Sequence, residues 1–284
     1  MLSAVTSRFG FVFFVLSLLP LVAQIPPVEP GYYQALEKNP TAKASRPLPP
    51  GLAAALPAPH EVALAPLSAA EKAAIPADSA ARVVGIHRRL TAPAAGAWEG
   101  MPYGRQLWRL ALRSPGAEGF RLHFTDFAVG AGRVWIHDNR STAPQVFGPY
   151  TGRGIHGDGD FWSDVVFSES VVVEYEPETP AAGGEPVPFR IGEIAHLWDG
   201  IAPVQQAASC HNDLTCFPEW ADSAKGVAHI LFEKESSSYV CSGSLLQTRN
   251  RTGSPYFLTA AHCFDNDTIA RSVQAFWFYQ TATC

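Results

Sequence analysis

The sequence predicts an all-β chain, a β-sandwich of jelly-roll type followed by part of a small β-barrel. Three observations carry this. From Trp98 to Pro177, short runs rich in Val, Phe, Trp and Tyr alternate with Gly, Asp and Asn turns, at spacings of roughly 10 to 15 residues. A second set of strands with short links runs from Val227 to Tyr279. Stretches rich in Pro with Ala or Gly bound the first set, from Ile25 to about Pro59 and from Pro177 to Pro188. The 284 residues leave room for about two domains. A net charge of -5 gives no basic surface for nucleic acid.

Taken in order, residues 1–24 read as a secretory signal peptide. Arg8 closes a short positive segment, Phe9 to Val22 is mostly apolar and too short to span a bilayer comfortably, and Ala23 offers a small residue for cleavage. No second long apolar stretch follows, so no membrane association is expected after signal removal. Residues 25–97 form a Pro/Ala-rich linker with one short helix in Leu67–Ala81. Ser68 and Glu71 have capping-box spacing, and Pro76 would break or kink the helix. Arg82 to Leu90 has strand character.

Residues 98–177 are the sandwich. Gln106–Leu112 alternates in part and Gly119–Phe124 cleanly; Arg133–His137 runs into an Asp138-Asn139 turn, and Ser170–Tyr175 closes the set. Residues 178–204 read as a second linker. In 205–284, strands are expected at Val227–Phe232, Tyr239–Leu246, Tyr256–Thr259 and Val273–Tyr279, with polar turns at 233–238 and 248–253.

All five cysteines, Cys210, Cys216, Cys241, Cys263 and Cys284, fall in the last 75 residues. An exported chain can keep disulfides, and an odd count leaves at least one thiol without an internal partner. Zinc is the competing reading, since His262 adjoins Cys263 and His211 adjoins Cys210, but the spacings fit no zinc-ligand pattern. No metal and no cofactor is assigned.

The chemistry concentrates in Tyr256-Phe257-Leu258-Thr259-Ala260-Ala261-His262-Cys263, with Cys241-Ser242-Gly243-Ser244-Leu245-Leu246 upstream. An apolar strand runs into two alanines, a histidine and a cysteine. A serine nucleophile needs a base at the edge of a rigid scaffold, oriented by a carboxylate. A strand ending in small residues presents a histidine in that way.

This segment resembles the histidine region of trypsin-like serine proteases. More narrowly, Ser209 to Cys284 resembles the N-terminal half of the catalytic domain of bacterial lysyl endopeptidases. Cys210 and Cys216 lie near what would be the mature N-terminus, and the aromatic strand Phe276–Gln280 leads to Cys284. The resemblance implies a trypsin-like double β-barrel, of which 205–284 is the first part. It implies His262 as the general base of an acyl-enzyme mechanism acting on a protein or peptide substrate. It implies disulfides Cys241–Cys263 and Cys216–Cys284, with Cys210 unpaired here because its family partner lies late in the domain. The triad Ser and Asp are expected beyond Cys284, so the chain as it stands is expected to be inactive. The lysine preference of the family does not carry over, since the pocket residues are not in view.

The order of segments suggests a zymogen: signal, a propeptide that partners its own protease domain, then the catalytic part, with maturation near Gln205. No lysine lies between Pro177 and Cys210, which gives no support to maturation after lysine. Extracellular secretion by bacterial export is the expected localisation. The alternative is a secreted non-catalytic protein, either a degenerate protease or a β-sandwich binding module.

Other candidates carry less. Gly157-Asp158-Gly159-Asp160 reads as a solvated turn rather than a calcium loop. Asp265 and Asp267 read as exposed loop carboxylates, Ser242 and Ser244 as structural, and the aromatic run 276–279 as core.

Overall fold

Alternating apolar residues place two sheets face to face in the computed structural model, which describes residues 47–75, 81–90, 96–139, 143–179, 184–198, 213–250 and 253–280. Residues 1–24, read as a signal peptide, and Cys210 and Cys284 lie outside these residues. The strands are β1 (Glu61–Ala63), β2 (Arg82–Arg89), β3 (Ala97–Gly100), β4 (Gln106–Arg113), β5 (Gly119–Thr125), β6 (Gly130–Asp138) and β7 (Val146–Gly152). They continue with β8 (Phe161–Trp162), β9 (Ser170–Glu176), β10 (Arg190–Leu197), β11 (Val227–Lys234), β12 (Ser237–Leu246), β13 (Tyr256–Thr259) and β14 (Gln274–Trp277). Among the described residues four short α-helices accompany them: α1 (Pro50–Ala53), α2 (Ala69–Ala73), α3 (Ala221–Ala224) and α4 (Asp267–Ala270). The all-β class is as expected, and the curled antiparallel sheets are consistent with a trypsin-like barrel.

The first sheet runs β1-β4-β9-β6-β7, with β3 also on β4. The second runs β14-β11-β12-β2-β10-β5-β8, with β13 also on β12. Between them lies a core in which Leu110, Leu112, Val134, Ile136, Val171 and Val173 of the first sheet meet Phe120, Leu122, Phe124, Phe161 and Ile194 of the second. The period-2 alternation of each strand puts these residues on one face.

Strands β4 and β9 are buried on their other face as well. The polar residues there are paired beneath α1: Gly51 N–H donates to Glu174 Oε2 at 2.7 Å, and Arg109 Nε lies 3.3 Å from Glu174 Oε1. A Cβ at Gly51 would sit 2.2 Å from that carboxylate, so any side chain there would push the Glu174 and Arg109 side chains out of this arrangement.

Several segments differ from the sequence reading. The helix of 67–81 is one turn, Ala69–Ala73, although its capping box forms as expected from Ser68 and Glu71. The strand expected over Arg82–Leu90 forms as β2, but β1 within 25–97 and β10 within 178–204 fall in stretches read as linker; β10 pairs with both β2 and β5. Periodicity did not reveal β10 because Arg190-Ile191-Gly192-Glu193-Ile194-Ala195-His196-Leu197 is partly polar and follows a Pro-rich run. Its polar residues are satisfied by partners far away in sequence, His196 by Ser114 and Glu193 by His123.

The consequence reaches the functional region. The antiparallel hairpin of β11 and β12 is not a separate sheet. The first half of β12 pairs with β2, matching Ser237 with Ile86, Ser238 with Gly85, Tyr239 with Val83 and Val240 with Arg82. A mixed core of Val84, Val165, Ala195, Leu197, Leu231, Val240 and Phe276 seals the junction.

Candidate active site

His262 owes its position to one strand with two partners in succession. β12 spends its first half on β2 and its second on β13, pairing Gly243 with Thr259, Ser244 with Leu258, Leu245 with Phe257 and Leu246 with Tyr256. β13 ends at Thr259, whose hydroxyl donates to Ser242 O at 2.8 Å. Cys263 N–H then donates to Ala260 O at 3.0 Å, closing a turn over Ala260–Cys263. His262 occupies that turn with its side chain exposed.

The turn is anchored from below. Cys263 is bonded to Cys241 across a sequence separation of 22 and is buried in a core with Ala81, Ala228, Ile230, Phe232, Tyr239, Ile269 and Ala275. Gly243 is the second requirement. A Cβ there would lie 2.2 Å from the Phe257 ring and 2.7 Å from Leu258 O, so only glycine lets β13 approach β12 this closely.

The cysteine sulfurs and the His262 ring lie close enough together to suggest a metal centre. With the two sulfurs joined to each other they are not thiolate ligands, so the arrangement is an anchored histidine. Cys216 is also disulfide-bonded.

Among the described residues no carboxylate hydrogen-bonds the His262 ring. Asp265 and Asp267 are exposed and occupied with the start of α4, where Asn266 caps the helix by accepting from Ile269 N–H at 3.0 Å and donating to Asp265 Oδ1 at 3.2 Å. Ser242 and Ser244 lie on the β12 ladder, paired with β11. In the 157–160 turn, Asp158 pairs with Arg271 and Asp160 lies 2.9 Å from His123 Nε2, so both carboxylates have protein partners.

Sequence reasoning missed a charged cluster where β11 and β12 meet the sandwich. Glu233 of β11 accepts from Arg121 Nη1 at 2.6 Å and from Ser238 Oγ at 2.5 Å, and lies 2.9 Å from His87 Nε2. Burial raises its carboxyl pKa, but the Arg121 charge and the His87 and Ser238 hydrogen bonds outweigh burial and hold it below the usual range. Farther along, His123 sits between Glu193 at 3.2 Å and Asp160. Burial lowers its pKa; those two carboxylates more than offset this and leave it raised. The only signal in the sequence was an ionisable residue in each of several apolar strands.

The apolar surface left exposed is concentrated in the C-terminal part: Val227, Leu245, Leu246, Tyr256, Leu258 and Phe278.

A histidine held at the end of a strand by a disulfide to the neighbouring strand, in an all-β setting of curled sheets, is consistent with a trypsin-like barrel. Residues 204–284 match the family described as lysyl endopeptidase, C-terminal domain. The chain is 24% identical over 203 residues to the lysyl endopeptidase of Pseudomonas aeruginosa (strain PAO1), covering 66% of this chain and 43% of the relative. It therefore spans less than half the length of that relative. Both matches are to lysyl endopeptidases, and the family match falls on the part of the chain that carries His262.

Proposed function

We propose that the chain is the N-terminal portion of the precursor of a secreted serine endopeptidase. It carries a signal peptide at 1–24, a propeptide built on the β-sandwich, and the first part of the catalytic domain from about 205. The observation that carries this is the coincidence of the family match over 204–284 with a disulfide-anchored His262 at the end of β13.

His262 acts as the general base. It takes the proton from a serine hydroxyl as that oxygen attacks the scissile carbonyl, and returns it to the leaving amine. The imidazole must be held in place for this, because misplacement by about 1 Å can cost about 100-fold in rate. The Cys241–Cys263 bond and the close β12–β13 approach at Gly243 supply that restraint. The substrate is a protein or peptide. The exposed apolar residues around β12 and β13 fit a surface that further catalytic-domain residues would cover. The sandwich holds β12 through β2, which supports a propeptide that assists folding of the catalytic strands and keeps them inactive until maturation.

The test is expression of the complete reading frame, including any codons after 284. The secreted product is assayed on peptide amides, with bonds after lysine tried first, and labelled with a serine-directed fluorophosphonate. Hydrolysis and labelling are expected, with His262→Ala lowering kcat by about 10⁴-fold or more. A product that neither labels nor hydrolyses any peptide sinks the protease reading in favour of a non-catalytic binding protein.

A further inference from the structure

We infer that Glu233 is the residue by which the N-terminal β-unit recognises the catalytic strands, so that cutting the linker between them does not separate them. The inference deepens the protease-precursor reading and rests on it for calling the two parts propeptide and catalytic portion.

Two kinds of contact meet at the junction. The first is strand addition: β2 continues the sheet along the first half of β12, and the amide of His87 donates to Ser236 O at 2.8 Å. Strand addition supplies affinity but little selectivity, because its hydrogen bonds are main-chain. The second kind supplies selectivity. Glu233 is on the catalytic side with a side chain 2% exposed, while Arg121 of β5 and His87 of β2, 3% and 4% exposed, reach it from the N-terminal side.

Arg121 is committed in three directions at once. Its Nη1 donates to Glu233, its Nη2 to Ser272 O on the catalytic side at 3.0 Å, and its Nε to Ser163 O on its own side at 2.7 Å. Ser272 closes the ring, since its Oγ accepts from Glu233 N–H at 2.8 Å. Beside it, Gln274 Oε1 accepts from Val165 N–H at 2.9 Å. Charged groups this deeply buried are tolerated only when each finds its partner, and a mismatched partner leaves an uncompensated charge. A foreign sheet edge could reproduce the ladder with β12; it could not place a guanidinium and an imidazole on the two Glu233 oxygens. None of these contacts runs through residues 199–212, the stretch that joins β10 to the catalytic part.

The experiment inserts a site for a sequence-specific protease between Gln205 and Gln206 of the full chain and cuts it to completion under native conditions. The two pieces are expected to co-elute as one complex in gel filtration. Arg121→Met and Glu233→Gln, each first checked for a native circular dichroism spectrum before cutting, should raise the dissociation constant at least tenfold. Separation of the wild-type pieces, or variants that hold as tightly as wild type, would overturn the inference. If a variant does not fold, hydrogen exchange on the cut wild-type protein decides instead. The His87 amide and the ladder amides of 237–240 should keep their protection, and its loss on cutting rejects the recognition role. Co-elution is read without activity, so an inactive complete protein would remove the protease reading while leaving the junction measured, and separation would remove the junction alone.

Discussion

Arg121 and Glu233 stand 112 residues apart in sequence and meet as a buried ion pair with an N–O distance of 2.6 Å. One belongs to the sandwich, the other to the first strand of the functional hairpin. The pair therefore reports whether the two halves of the chain are assembled.

Truncating one member strands the other. Glu233→Ala leaves the Arg121 guanidinium buried with a missing counter-ion and is expected to cost about 3–5 kcal/mol in urea unfolding. The double variant Arg121→Met, Glu233→Met should recover most of that loss, because a well-packed apolar pair avoids the desolvation of two charges. A double variant no more stable than the single one would show that the geometry of the hydrogen-bonded ring, rather than charge compensation, matters here.

The glycine between Ser242 and Ser244 couples stability to the position of His262. Gly243→Ala drives a methyl into the Phe257 ring and against Leu258 O. Overpacking of this kind costs roughly 1–3 kcal/mol. Since Leu258 O is main chain, β13 must move, and His262 with it. A lower Tm is expected together with a changed rate of His262 carbethoxylation in the native state. An unaltered rate would mean that the turn is held by the disulfide alone.

Much of the candidate site was legible in the sequence. The small residues before His262, the cysteine after it and the glycine-bearing strand upstream each correspond to a local requirement: a turn, an anchor, a close approach. The sandwich strands were legible where alternation was clean, as in Gly119–Phe124. What was not legible was pairing between distant segments. Nothing in Arg82–Arg89 announces that it will bridge β10 and β12, since a strand's neighbours are set by the global packing of both sheets. Arg121, Glu233 and His87 likewise looked like polar interruptions, because their partners are supplied only when β2, β5 and β11 come together.

The disulfide Cys241–Cys263 closes a loop with a sequence separation of 22. In the chain-entropy model such a loop contributes about 3 kcal/mol. Replacing both cysteines by serine is expected to lower the unfolding free energy by that order and to speed hydrogen exchange in β13 and the turn after it more than in β4, β6 or β9. Uniform loss of protection across both sheets would instead place the disulfide's effect on the whole fold.

His196 makes the acid limb of stability testable. It is buried, with Nδ1 2.7 Å from Ser114 Oγ; burial, reinforced by the positive charge of Arg88, lowers its pKa from 6.5 to about 4. Arg88 cannot move away easily, since it also donates to Ser114 Oγ, Ala65 O and Glu71. Between pH 6.5 and about 4 the unfolded chain binds a proton at this residue that the folded chain does not. The unfolded state thus holds more protons, so stability falls as pH drops through this window and is restored above it. His196→Gln, which keeps a hydrogen-bonding group beside Ser114 and does not titrate, should flatten that slope. Measured by urea unfolding at fixed pH values, wild type should lose stability relative to the variant steadily from pH 7 to pH 4, with the difference levelling off below pH 4. Parallel curves for the two proteins across this range would show that His196 carries no part of the acid sensitivity.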